Sequence, residues 1–329
     1  MSNNKKEVLK IILKDANSPL FSLWKWNEQD YKKSIKFFID EAEVDFKFTL
    51  ENFYSGKNLP KIQMPLRGSF TFTINNPPQE FLAGLKNSNE INTQETAKKL
   101  YILYEKAFKK LVIYGRWIAK LPNVSEMTKN SFNEIFYQKK SRFGVSIFWH
   151  LNNERPRLFK FKKRKRLGIN PLFKSKNLLT SKKWDKIRNF ASTNEELSSE
   201  LIELINIKAK VNWGDKRIPA IETAALMEVV IKNKMQVLLN SQGQSKKKIK
   251  DLNDKIGLSV LLNVVLPLAL TKLEMKKYKK YIDALDSLRK VRNDIMHENI
   301  LEEEIDLQKI KEGVNAAIKI LLLLNAKIN

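Results

Sequence analysis

Leu288 to Asn299 reads LRKVRNDIMHEN, and the C-terminal third of the chain is organised around it. Leu285, Leu288, Val291 and Ile295 recur at steps of three and four, which predicts a helix with one apolar stripe turned to a core. The stretch holds His297, one of only two histidines in 329 residues. On a helix Asn293 and His297 are an i, i+4 pair and project from one side about a turn apart. The amide can then bond one ring nitrogen and fix the tautomer, leaving the other nitrogen for proton transfer. Arg292 stands one step round the helix, and its long side chain brings a planar fork of donors to the same neighbourhood. A proton-transfer group, an orienting group and an anion clamp thus share little more than one turn.

The segment Arg292-Asn293-Asp294-Ile295-Met296-His297 resembles the R-x4-6-H signature of the HEPN superfamily, in which the arginine is usually followed by Asn, Asp or His. The resemblance covers the chain from Pro219 to its end. It implies a small helical bundle and, in many members, a metal-independent endoribonuclease of phage defence, toxin–antitoxin or CRISPR-associated systems. Two bundles pack there so that their motifs face one another across a composite cleft. This chain has one copy of the motif, so the resemblance implies a homodimer, with a cognate antitoxin or a defence complex as a further partner. Some members keep the bundle and do not cleave.

Working outward, the pattern predicts helices over Ile221–Leu239, Leu258–Leu273, Met275 to about His297, and Ile305–Leu324. Short connections make neighbouring helices antiparallel. The expected fold is mainly α: an up-and-down, HEPN-like four-helix bundle over 216–329, preceded by a mixed α+β domain over 1–210. The boundary is set in the polar stretch from Asn212 through Gly214 and Asp215 to Pro219, with Pro219 suited to the first helical position. Within the bundle, Ala225, Met227, Val230, Ile231 and Val237 are the expected buried face of the Ile221–Leu239 helix. Glu302-Glu303-Glu304 reads as acidic side chains at a helix start.

The N-terminal half is more mixed. Lys5–Lys14 predicts a short amphipathic helix. Tyr31–Tyr54 begins as a helix, with the alternation Val44–Leu50 equally suited to a strand. Ser69–Ile74 alternates cleanly and predicts a strand. Thr93–Leu121 is the longest helical pattern, and its aromatics Tyr101, Tyr104, Phe108, Tyr114 and Trp117 read as core. Gly144–Leu151 and Arg157–Lys163 predict two strands joined by a turn at 152–156, and Ser192–Ile207 a capped helix.

That hairpin is strongly basic. Between Glu154 and Arg188 stand fourteen Lys or Arg against two acids, a net of +12 out of a formal +25 for the chain. Arg155, Arg157, Lys160, Lys162, Lys163, Arg164, Lys165 and Arg166 are its dense half, with Phe159, Phe161, Phe173 and Trp184 interleaved. Cations that track a phosphate backbone, beside aromatic faces for unpaired bases, suit single-stranded RNA. RNA is therefore the expected partner.

Composition narrows the chemistry. There is no cysteine, so disulfides and thiolate metal sites are excluded, and a reducing cytoplasm is expected. His150, the second histidine, has no metal-ligand spacing around it and reads as structural. The apolar runs Leu258–Leu270 and Ile318–Leu324 are too short to span a bilayer, so no membrane is expected. No metal and no cofactor are expected. RNA carries its own nucleophile, and cleavage then needs a base, an acid and a cation for the transition state. On this reading His297 transfers protons, Arg292 clamps the phosphate and Asn293 orients the imidazole. Two other readings stay open: a non-catalytic RNA-binding module, and an interaction subunit of a larger nucleic-acid-bound complex. A metal-dependent nuclease in the N-terminal domain is more remote.

Overall fold

The structure is a computed structural model. It describes residues 7–17, 22–24, 28–48, 62–63, 67–86, 90–121, 124, 146–152, 154–159, 178–241, 243, 256–298 and 300–328. The chain divides into two compact units, Met1–Glu196 and Leu197–Asn329. An α+β N-terminal part is thus followed by a C-terminal helical part. The division falls before the expected 212–219 boundary, because the helix that follows Ser198 packs with the C-terminal helices.

In chain order the first unit holds β1 (Val8–Asn17), β2 (Ser22–Trp24), α1 (Glu28–Lys32), β3 (Ile35–Ile39), β4 (Ala42–Phe48), β5 (Ile62–Gln63) and β6 (Arg67–Asn75). There follow α2 (Gln79–Lys86), α3 (Glu90–Trp117), β7 (Ser146–Leu151), β8 (Arg157–Leu158), β9 (Leu178–Leu179) and α4 (Ser181–Ser192). Six strands form one sheet in the order β3-β4-β6-β1-β7-β8, with every neighbouring pair antiparallel. β5, β2 and β9 form a small second sheet.

β1 replaces the helix expected over 5–14. Leu9, Ile11 and Leu13 are fully buried while Lys10 and Ile12 are half-buried, a period of two. The segment satisfies both periods over so short a span. Pairing on both sides, to β6 and to β7, together with β-branched Val8, Ile11 and Ile12, decides for the strand. The same holds for most of 31–54: Tyr31 and Lys32 end the short α1, the rest of the described part is the hairpin β3–β4, and over 44–48 the strand alternative is the one taken. Ile35, Phe37, Ile39, Ala42, Val44, Phe46 and Phe48 point inward from it.

The inner sheet face is covered by α3 and α4, which contribute Tyr104, Phe108, Trp184 and Ile187 to one continuous core. Tyr104, Phe108 and Tyr114 of α3 are buried, so those aromatics are core and not a stacking platform. Burial drives the Tyr104 hydroxyl pKa far above the ordinary tyrosine range.

The second unit holds α5 (Ser199–Trp213), α6 (Arg217–Ser241), α7, α8 (Lys272–His297) and α9 (Leu307–Ile328). α7 is a broken helix: α-helical Leu258–Val260, π-helical Leu261–Val265, then α-helical Leu266–Leu268. Pro267 has no N–H, and its ring crowds the carbonyl four residues back, so the run before it widens. The Leu266 N–H accordingly bonds the Leu261 carbonyl.

The fourth long helix of the bundle is therefore α5 and not the expected 258–273, which is short and broken. The expected 192–207 helix is itself split. α4 stops at Ser192, and α5 starts after Ser198, whose hydroxyl accepts from the Leu201 N–H. Gly214, at φ 98, closes α5 in the left-handed conformation that glycine adopts without a side-chain penalty. Pro219 sits in the first turn of α6, at its third residue and not its first.

Ion pairs show the directions of the helices. Lys327 near the end of α9 meets Glu274 at the start of α8 at 2.9 Å. Arg217 at the start of α6 meets Glu302, in the loop after α8, at 3.3 Å. α8 thus runs antiparallel to both α6 and α9. Thr271 and Glu274 form a capping box that starts α8 three residues before the expected Met275. Asp306, not the glutamate triplet, accepts from the first N–H groups of α9. On α6, Met227, Val230 and Ile231 are buried as expected; Ala225 and Val237 are exposed, and Ala224 takes the core position.

α8 and α9 meet closely at Gly313. A Cβ there would stand 2.6 Å from the Leu288 Cβ. Gly313→Ala is expected to lower stability by about 1–2 kcal/mol, overpacking outweighing the gain in helix propensity. Urea denaturation followed by circular dichroism measures it; an unchanged midpoint would mean the helices have room to part.

Candidate active site

The motif lies on the last two turns of α8, the helix that the sequence predicted. Five residues along a helix are about 7.5 Å of rise and about 140° of rotation. Arg292 and His297 therefore leave α8 in different directions. Arg292 is half-buried and lines a cleft of about 250 Å³ between α6 and α8, to whose lining Leu258 at the start of α7 also belongs. His297 is exposed, the last residue of the helix, and does not line the cleft.

Asn293 belongs with the arginine. Its side-chain oxygen accepts from Arg292 Nη1 at 3.0 Å, and among the described residues no hydrogen bond joins it to His297. The expected i, i+4 contact with the imidazole is thus absent: the amide acceptor is taken by the nearer and charged donor.

The rest of the cleft was not singled out in the sequence. Its walls are Ala224, Ala225, Val229 and Leu258, and its polar lining is Glu228, Lys232, Arg289 and Arg292. Glu228 and Lys232 pair at 2.9 Å one turn apart on α6. Arg289 bonds Asp286 at 2.8 Å, and Lys290 reaches the other Asp286 oxygen at 3.3 Å. Arg292 has no carboxylate within ion-pair distance among the described residues. The signal was present: Arg289 and Arg292 are an i, i+3 pair, and so share a side of the helix.

Asp286 is buried enough for desolvation to raise its pKa, but the hydrogen bonds from Arg289 and Lys290 outweigh this and hold it below the ordinary aspartate value. Asn263 of α7 also donates to it at 3.4 Å, tying α7 to α8 beside the cleft. A depressed folded pKa contributes stability that is complete above the unfolded value, about 3.9, and is lost as pH falls through the folded one. Asp286→Asn is expected to lower the melting temperature at pH 7 and to leave it nearly unchanged at the acid end. Equal losses at both ends would show that the carboxylate charge is not what holds Arg289.

In the basic hairpin, β7 and β8 pair as expected, through Phe148–Leu158 and Trp149–Arg157. Arg155 and Arg157 are exposed. Arg157 bonds Glu154 at 3.1 Å and lies 5.4 Å from the Trp149 ring centre, so it is partly engaged within the hairpin. Lys160, Lys162, Lys163, Arg164, Lys165 and Arg166 lie outside the described residues. His150 lies on β7, half-buried, opposite Lys10, and its Nδ1 has no partner among the described residues. Among the described residues no three acidic or histidine side chains cluster as metal ligands would, and no helix is long and apolar enough to cross a membrane. No family model, curated protein or solved structure matches this chain.

Proposed function

We propose that the protein is a metal-independent endoribonuclease, with a HEPN-like C-terminal bundle that works as a homodimer in the cytoplasm. The observation that carries this reading is the Arg292 guanidinium, half-buried at a cleft, without a carboxylate partner among the described residues, on the same helix as an exposed histidine. An unneutralised planar fork beside a cavity is suited to a phosphate, and an accessible imidazole to proton transfer.

The 2′-hydroxyl attacks the adjacent phosphorus as a base takes its proton. The new O2′–P bond forms while the P–O5′ bond breaks, and the leaving 5′-oxygen takes a proton from an acid. The products are a 2′,3′-cyclic phosphate and a 5′-hydroxyl. His297 is the proton-transfer group, and Arg292 stabilises the charge that builds on phosphorus. Asn293 steadies the Arg292 fork rather than the imidazole.

One motif carries one imidazole, whereas base and acid call for two, so two copies meet at this end of the bundle. Trp213 ends α5, Ile218 is the second residue of α6, Met296 is next to the end of α8 and Leu301 follows it, and all four are large apolar side chains left exposed. Hydrogen bonds from Lys216 and Arg217 to the backbone of Glu302 and Ile300 draw those ends together. Exposed apolar side chains at neighbouring helix ends suit a protein–protein contact. The basic hairpin would hold the RNA. A defence or toxin setting, and with it an antitoxin or complex partner, rests on the motif resemblance alone.

Incubation with total RNA in EDTA, followed by end analysis of the fragments, tests the reaction. Cyclic phosphate ends are expected on RNA, with DNA uncut. Activity appearing only with added magnesium would overturn it, and so would a strictly monomeric protein that cleaves. A second reading, RNA binding without cleavage, is favoured by the divergence of Arg292 and His297. In that case Arg292→Ala weakens RNA binding and no fragments form with any variant.

A further inference from the structure

We propose that the cleft beside Arg292 is a pocket for one unpaired nucleobase, guanine in preference, whose phosphate rests on the Arg292 guanidinium. That the ligand is part of an RNA rests on the ribonuclease reading; the pocket's chemistry does not.

Size is the first argument. At about 250 Å³ the cleft is smaller than the roughly 300–1,000 Å³ of pockets that enclose drug-sized ligands. It suits a single base and excludes a duplex. The second is the split of its lining. Ala224, Ala225, Val229 and Leu258 supply apolar surface with no hydrogen-bonding side chain, against which an aromatic ring can lie. Val229 is 55% exposed, so this part of the wall is open to a ligand.

Charge is the third argument. The lining has three cations, but Lys232 is matched by Glu228 and Arg289 by Asp286. Arg292 alone donates to a neutral amide. Among the described residues the cleft therefore offers one unmatched positive charge, enough for one phosphate and no more. A polyanion would need several.

Glu228 decides which base. One carboxylate oxygen is bonded to Lys232, and the second accepts no hydrogen bond among the described residues. A carboxylate only accepts. Guanine presents adjacent donors, N1–H and N2–H, on its Watson–Crick edge; adenine and cytosine present one amino group and uracil a single N–H. Lys232 holds the carboxylate in place on α6.

The test is calorimetric titration of the intact protein with the four nucleoside 3′-monophosphates and with inorganic phosphate, in EDTA at low salt. Guanosine 3′-monophosphate is expected to bind about tenfold more tightly than the others. Arg292→Ala should weaken all five ligands. Glu228→Gln should bring guanosine 3′-monophosphate down to the affinity of the other nucleotides and so remove the preference. Ala225→Phe, at an exposed helix position, should block the nucleotides and spare inorganic phosphate. Nucleotides binding no better than phosphate would overturn the pocket, as would an Ala225→Phe variant that binds all of them normally. Nucleotide binding without RNA cleavage would remove the ribonuclease reading and leave the pocket standing. Cleavage with no base preference, unaffected by Ala225→Phe, would do the reverse.

Discussion

Replacing Arg292 by alanine is expected to slow RNA cleavage by about 10²–10³-fold while leaving the melting temperature close to that of the wild type. The magnitude is that of removing one preorganised donor to a transition-state charge. The stability expectation follows from its surroundings: the side chain is half-buried and its one described polar contact is Asn293. Arg292→Lys keeps a charge but loses the bidentate fork, so most of the loss should persist. His297→Ala is expected to cost about 10²–10⁴-fold, as the removal of a general acid or base does. Because His297 is exposed at a helix end, that variant should also remain folded. If two copies each supply one imidazole, mixing the arginine and histidine variants should restore part of the activity in heterodimers. Initial rates in EDTA, measured beside melting curves, decide the matter. Undiminished cleavage in either single variant would remove that residue from the reaction.

Trp184→Ala is expected to be the most damaging single change to the first unit, costing about 3–5 kcal/mol. The side chain is fully buried, with its ring 5.0 Å from Phe48 and 6.2 Å from Phe46, and its indole N–H donates to the Lys33 carbonyl at 3.1 Å. It joins α4 to the sheet hairpin, so its loss leaves both a cavity and an unbonded carbonyl. Trp184→Phe keeps an aromatic ring and forfeits the hydrogen bond, with an expected cost of about 1–3 kcal/mol. Denaturation by urea, followed by near-ultraviolet dichroism, ranks the two. A Trp184→Ala midpoint within error of the wild type would mean that α4 is not part of the core of this unit.

The motif helix was legible in the sequence to within three residues. The apolar steps through Leu285, Leu288, Val291 and Ile295 lie in one long helix, and all four are buried there. The β6 strand and the aromatic α3 helix were legible for the same reason, long unambiguous periodicity. β1 was not. Ten residues rich in leucine, isoleucine and lysine fit a helix as well as a strand, and only pairing with β6 and β7 breaks the tie.

What the sequence by itself determined is local: where the Arg292–His297 segment sits along a helix, where that helix ends, and that the chain carries a formal charge of +25. What only the tertiary structure decided is who faces whom. α5 joined the bundle, and Arg292 turned to Ala224, Glu228 and Val229 rather than to His297. The physical reason is that periodicity records which side of a helix is apolar, while the partner on that side is set by packing between residues far apart in the chain. Leu288 against Gly313 and Arg292 against the α6 wall are contacts of that kind.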